Sequence, residues 1–328
     1  MSYSDARLSK VERRLLDELL AFRAALPADP PPKVGRLTRV RLAGKRHGRR
    51  VQNAAVALAL LAAASVIVGH ELSSSVTFAA TPKPLVYHAL ALNALSGRQE
   101  LRGLAAAAGR QPDSAITHPR YAYTKTMGWY LATRVDGQAT TSAVIPSTTQ
   151  SWAAPNGSTH VHRVFINRAD GSRSIEDFTY AKGPVPVQLS TDQVVLARQL
   201  ALGHPLGNGP VEKFMALTDL ALRQPIPPGA ESAILRFLAR TRALINRGSV
   251  TDRAGRRGVG VALDSNYSGL LTRYTWIFDP HTGALLGNEE TLLDPGKLHV
   301  RKGSVISYTT YLSSGWSSSA SSPPPGRN

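Results

Sequence analysis

The feature that most restricts this chain is a run of 19 residues without a charge, VQNAAVALALLAAASVIVG from Val51 to Gly69, set directly after a dense block of cations. As a helix it rises about 28 Å against a hydrocarbon core of about 30 Å, so it just spans a bilayer. The span rests on Ala54, Val56, Leu58, Leu60, Leu61, Val66, Ile67 and Val68. Their Leu, Val and Ile side chains together favour insertion by about 2–4 kcal/mol, and the remaining Ala add little. Eight cations (Lys33, Arg36, Arg39, Arg41, Lys45, Arg46, Arg49 and Arg50) precede it between residues 33 and 50, with no acid among them. A buried core helix does not normally carry such a stack at one end. A cleaved signal peptide starts from a short basic region, not from 50 residues, and Thr77-Phe78-Ala79 is a poor cleavage site. The expected element is one transmembrane helix over residues 51–71.

Charge then sets the orientation. Residues 1–52 carry 13 Lys and Arg against 5 Asp and Glu, and no comparable cluster follows His70 and Glu71. Cations stay on the cytoplasmic side, so the N-terminus is expected inside the cell membrane and the C-terminus outside. Arg41, Lys45, Arg46, Arg49 and Arg50 fall where anionic lipid headgroups attract each cation by about 1 kcal/mol. A nucleic-acid arm would have the same composition, but lipid accounts for it, and no nucleic acid is expected as a partner. Of the 39 basic residues 30 are Arg, a skew that reflects a GC-rich genome more than chemistry.

Within the first 50 residues Leu8, Val11, Leu15, Leu19 and Phe22 recur at steps of three and four, widened by Leu16 and Leu20. This is an amphipathic helix, ended by Pro27 and the run Pro30-Pro31-Pro32. A lone helix of this length is marginal in water, so its stripe needs a surface. That surface is either the inner leaflet or a second copy, or else a cytoplasmic partner docked on Leu15, Leu16, Leu19 and Phe22.

Beyond the span the expected domain covers 72–312, followed by a disordered tail at 313–328. Pro84 opens a predicted helix through Leu90, Leu101 and Leu104 that stops at Gly109, with Gly97 as an interruption. Alternation around Tyr121–Val135 and Val161–Asn167, with Asp136-Gly137 and Asp170-Gly171 as turns, predicts antiparallel strands over 120–180. Ser190 with Gln193 forms a capping-box pattern for a helix reaching about Leu202. A second helix starts at Pro210, and a third runs from Pro227-Pro228-Gly229 to Gly248. Strands follow at 259–263, 274–278, 284–293 and 305–312, with Asp279-Pro280-His281-Thr282-Gly283 as a tight reversal. Strands and helices in separate runs predict an α+β fold, an antiparallel sheet with helices packed on it.

The segments Ala254-Gly255-Arg256, TWIFDPHTGALLGNEETLL and SYTTYLSSGW carry a resemblance. The chain is similar to an uncharacterised actinobacterial family of single-pass membrane proteins that end in a D-P-x-T-G-x-L-L-G hairpin. Here the matching residues are Asp279, Pro280, Thr282, Gly283, Leu285, Leu286 and Gly287. The likeness is specific over 210–316 and weak over 85–190. Such genes commonly lie beside those of extracytoplasmic-function sigma factors, which implies a regulatory setting with a sigma factor as the inner partner. The likeness implies no catalytic residue. Zinc-containing anti-sigma domains use two Cys, and this chain has none.

Enzyme motifs fail in turn. His70-Glu71 lacks the second His of a zinc-protease helix, because Ser74 stands there. Gly44-Lys45 lacks the glycine and hydroxyl of a P-loop, and Gly258-Val259-Gly260 meets Leu263 where a dinucleotide fingerprint needs its third glycine. Two constellations merit weighing. His160 and His162 share a strand face and would need His118, Asp170 or Asp177 as a third metal ligand. Asp279 with Glu289-Glu290 has the makings of a carboxylate pair, although turn and strand roles are more ordinary. No catalytic, metal or cofactor site is expected. The domain is read as non-enzymatic, sensing or binding an unknown extracytoplasmic ligand, or else as a membrane-tethered module for a lipid or other hydrophobic ligand held by a half-open sheet.

Overall fold

The computed structural model describes residues 81–88, 95–112, 121–136, 139–166, 172–296 and 300–324, with 131–136 and 139–145 described in their backbone. The expected inner helix, the basic stretch and the Val51–Gly69 run lie outside these residues, as do His118 and Asp170. Among the described residues no helix is long and apolar enough to cross a membrane.

The α+β expectation holds: among the described residues nine antiparallel strands form one sheet with four helices packed on it. Helix α1 (Gly97–Gly109) precedes β1 (Tyr121–Asp136), β2 (Ala139–Ala153), β3 (Thr159–Ile166) and β4 (Arg173–Tyr180). Helices α2 (Gln193–Ala201), α3 (Pro210–Arg223) and α4 (Pro228–Leu238) follow. The chain then returns to strand as β5 (Ile245–Thr251), β6 (Arg257–Ser265), β7 (Thr272–Phe278), β8 (Leu285–Leu292) and β9 (Val305–Ser317). The order across the sheet is β4-β3-β2-β1-β9-β8-β7-β6-β5. Two meanders, each built from local hairpins, are therefore joined by the single long-range pairing of β1 with β9. Pro146 lies just past the stretch of β2 that pairs with β3 (Ser147–Ala153), where among the described residues β2 has only β1 beside it and the missing N–H is tolerated.

Helices cover one face of the β6–β9 side. Leu101 and Leu104 of α1, Leu196 and Leu200 of α2, Phe214 and Leu217 of α3, and Ile234 and Leu238 of α4 meet Val261, Tyr274, Trp276, Phe278 and Tyr311. Trp276 anchors α3: its ring stacks on Phe214 at 4.2 Å between centroids, and its Nε1 donates to Thr218 Oγ1 at 3.2 Å. We call this the inner face.

Several boundaries differ from the sequence reading. Helix α1 starts at Gly97 rather than Pro84, because Ser96 and Gln99 form a capping box and Gly97 abuts Leu244, leaving no room for a Cβ. The Pro84 stretch is extended instead, with Tyr87 bridging Val250 of β5. Helix α2 is capped by Asp192, not Ser190: the Asp192 carboxylate accepts from the Val194 and Val195 amides, both at 2.9 Å, while Gln193 donates to Ala233 O. Helix α4 ends at Leu238, and Ala243 takes a left-handed φ of 58°, which turns the chain into β5, a strand the sequence reading merged with the helix. Strand β9 continues to Ser317, into the stretch read as a disordered tail. Residues beyond it turn back so that Ser322 O accepts from Trp152 Nε1 at 2.9 Å.

On the outer face the 85–87 segment covers Val250, Ile277 and Leu286. The Gly258-Val259-Gly260 pattern that fell short of a nucleotide motif gains its reason here: a Cβ on Gly260 would lie 2.6 Å from the Tyr87 ring. The same ring carries the Arg247 guanidinium 4.3 Å from its centroid. Gly260→Ala is expected to lift Tyr87 and cost about 1–3 kcal/mol by overpacking, read as a lower urea midpoint of the full chain.

Candidate functional site

The D-P-x-T-G-x-L-L-G hairpin is structural. Asp279 Oδ1 accepts from the amides of His281 (2.7 Å) and Thr282 (3.0 Å), which closes the turn. Gly283 has φ 73° and sits so close to Leu104 O of α1 that no side chain fits. Leu285 points into the helix-covered core and Leu286 to the outer face. Asp279 is thus occupied in its turn, and Glu289 and Glu290, as neighbours on one strand, face opposite sides of the sheet. The three do not form a carboxylate pair. Glu289, 2% exposed, pairs with Arg253 on the outer face, and Arg253 lies 4.1 Å over the Tyr308 ring. Glu289 is therefore a buried ion-pair member, not an exposed strand residue.

His160 and His162 share the outer face of β3, and the structure brings Asp177 of β4 to both. His162 Nδ1 lies 3.0 Å and His160 Nε2 3.6 Å from the Asp177 carboxylate. The hydrogen bond from His162, and then the charges of both rings, hold the Asp177 carboxyl below its ordinary range. Among the described residues, however, no group of three His, Cys, Asp or Glu is set to hold a metal ion.

Sequence reasoning missed a buried cluster at the start of α3. Gly203 (φ 82°) and Gly209 (φ 103°) bend the α2–α3 connection so that His204 turns inward. His204 Nδ1 lies 2.8 Å from Glu212 and Nε2 3.1 Å from Asp219, two residues on one side of α3. Asn208 Nδ2 donates to the other Glu212 oxygen at 2.9 Å. Burial would lower the His204 pKa, but the hydrogen bond and charge of Asp219, and then those of Glu212, outweigh it and raise the value. With a carboxylate at each ring nitrogen both must donate, which only the imidazolium does. Such a ring presents no lone pair to a substrate or nucleophile. The cluster clamps a loop to a helix.

A second arrangement faces the inner side and is only partly covered. Register places Tyr130 of β1 opposite Ser307 of β9, Ser307 opposite Glu290 of β8, and Glu290 opposite Tyr274 of β7. The inner assignment follows from neighbours at even spacing. Thr124 Oγ1 on β1 donates to Leu222 O of α3 (3.0 Å), and Tyr311 OH on β9 donates to Thr218 O (3.3 Å). On β8, Asn288 lies 3.3 Å from that same Tyr311 hydroxyl. Tyr274 is buried under the helices, whereas Glu290, Ser307 and Tyr130 are half-buried, marking where the helices stop. Glu290 has no hydrogen-bond partner among the described residues, and burial pushes its carboxyl up to about 7. Its carboxyl is thus deep enough to be destabilised yet lies at the edge of the helix-covered face. Beyond Tyr130 the same face holds Arg163 of β3, 2% exposed, with Glu176 at 3.4 Å and the Phe165 and Phe178 rings at 5.7 and 5.8 Å.

No protein-family model and no curated protein sequence matches this chain. Among solved structures it has slight likeness to the dehydratase domain from the CurK module of curacin polyketide synthase. That match is 11% identical, with a TM-score of 0.13 over 65% of this chain and 81% of that one. The dehydratase domain from the CurF module of the same synthase is 10% identical with a TM-score of 0.12, over 61% and 78%. Likeness at this level carries no argument about fold or activity.

Proposed function

We propose that this chain is a non-enzymatic single-pass membrane protein, N-terminus cytoplasmic and C-terminus outside, whose outer domain binds a lipid or other hydrophobic cell-envelope ligand. The observation that carries the reading is the half-buried row Tyr130, Ser307 and Glu290 at the edge of the helix-covered sheet face. It joins apolar ring surface to one unpartnered carboxyl, the mixture that ligand recesses present. The His204 imidazolium, engaged at both nitrogens, favours binding over acid–base work. The inner helix, through Leu15, Leu16, Leu19 and Phe22, is proposed to contact a cytoplasmic sigma factor, a role that rests on the family resemblance.

Native mass spectrometry of the full chain released from membranes tests the binding reading. A small amphiphile should accompany the wild type and be reduced about tenfold, about 1.4 kcal/mol, in Ser307→Phe, which fills the middle of the row. An unchanged melting temperature would show that the variant is folded. A wild-type chain that carries nothing and takes up no apolar or amphiphilic probe overturns the reading.

A further inference from the structure

The row has a polarity of its own. Residues 53–328 carry 26 Lys and Arg against 17 Asp and Glu, yet the inner face around the row gathers Glu290, Glu176, Glu212 and Asp219 against Arg163 and His204. Those other charges are already spent on one another: Arg163 is with Glu176, and His204 with Glu212 and Asp219. Among the described residues, Glu290 alone of these has no counter-charge. Burial is what pushes its carboxyl up.

The groups that face it are few. Tyr274 lies directly opposite on β7, and its hydroxyl titration is raised by burial and, more weakly, by the charge of Glu290. Ser307 lies directly opposite on β9, and Tyr130 stands one strand further on β1. From the helix layer, Asp219 of α3 acts on Tyr311, which lies on the same face of β9 as Ser307. With strands about 4.8 Å apart, the two tyrosine positions flank Glu290 at about 5 and 10 Å. A carboxylate without a counter-charge among the described residues attracts an ammonium by charge and by hydrogen bonding. A carboxylate-bearing ligand would meet repulsion there, and a neutral ligand would leave Glu290 without its partner.

We propose that the ligand of this row carries an ammonium group, seated against the Glu290 carboxylate and flanked by Tyr274 and Tyr130. The assignment rests on the binding reading above and adds the chemistry of the ligand's polar end. The carboxylate must be ionised to receive the cation. Since Glu290 titrates at about 7, its ionised fraction rises about tenfold from about pH 6 to about pH 8.5, and ammonium binding should tighten by that factor.

Calorimetric titration of the full chain with butylammonium, butanol and butyrate, at about pH 6 and about pH 8.5, tests this. Butylammonium should bind about tenfold tighter than butanol at the higher pH and lose that margin at the lower, with butyrate weakest at both. Glu290→Gln, a neutral isostere, should abolish both the margin and its pH dependence; Glu290→Asp should keep the pH dependence. Equal binding of butylammonium and butanol in the wild type overturns the ammonium assignment alone, as does a margin that survives in Glu290→Gln. If none of the three probes binds, the binding reading itself fails, and the inference falls with it.

Discussion

His204→Ala is expected to destabilise the folded chain by about 3–5 kcal/mol, because removing one member of a buried ionic cluster leaves the others uncompensated. The imidazolium stands between Glu212, 2% exposed, and Asp219, and both ring nitrogens are used. Its loss abandons two carboxylates in a place with little water. Asn208 continues to serve one Glu212 oxygen, which sets the cost nearer the lower end. Glu212→Gln removes a charge but keeps hydrogen-bonding atoms, so a smaller cost is expected, about 1–2 kcal/mol. The triple change His204→Ala, Glu212→Gln, Asp219→Asn should recover part of the first loss, since no charge is then stranded. The pH dependence has a definite sign. The folded His204 pKa lies above its unfolded value, so its stabilisation is complete below about pH 6.5 and is lost as pH rises through the folded value. Urea midpoints from tryptophan fluorescence across that window should fall for the wild type and lose this component in His204→Ala. A variant with the wild-type midpoint at about pH 6 would show that the cluster contributes nothing.

Local chemistry made much of the fold legible. The Asp279–Gly283 reversal was readable because both of its causes, a side chain that closes its own turn and a glycine at positive φ, lie within five residues. The alternation of Tyr274, Trp276 and Phe278 was readable for the same reason, each residue reporting one face of its own strand. Errors arose where a distant partner decided. Pro84 looked like a helix start, but Tyr87 is claimed by β5 and by the bare backbone of Gly260. Ile234, Phe237 and Leu238 followed by Ile245 kept a helical period through the point at which Ala243 breaks it. The candidate site was least legible of all. Local β7–β8 and β8–β9 pairings bring Tyr274, Glu290 and Ser307 side by side, but Tyr130 joins them only through the β1–β9 pairing, a contact between the two meanders for which no short-range pattern exists. One signal was present but unread: Glu212 and Asp219 stand seven residues apart on α3, beside its apolar stripe of Val211, Phe214 and Leu217. Two acids at that spacing require a cation between them or an open face.

Glu231→Gln is expected to stabilise the chain at alkaline pH and leave it nearly unchanged in acid. Glu231 lies in the first turn of α4, 5% exposed, and its Oε1 has no hydrogen-bond partner among the described residues. A helix N-terminus favours a nearby carboxylate by about 0.3–2 kcal/mol. Burial works against this and wins, pushing the carboxyl up to about 8 from an ordinary 4.5. At about 1.4 kcal/mol per unit that displacement corresponds to about 5 kcal/mol, an upper bound because water entry and local relaxation relieve part of it. The folded chain holds this proton more tightly than the unfolded one. The cost is therefore absent below the unfolded pKa, grows as pH rises, and is complete above about 8. Gln keeps the shape and cannot ionise, so the variant should gain about 2–4 kcal/mol at about pH 9 and less than about 1 kcal/mol at about pH 5. Paired urea titrations at the two pH values read the difference directly. A substitution equally costly at both would show that Glu231 is paired in solution and that its charge is accommodated.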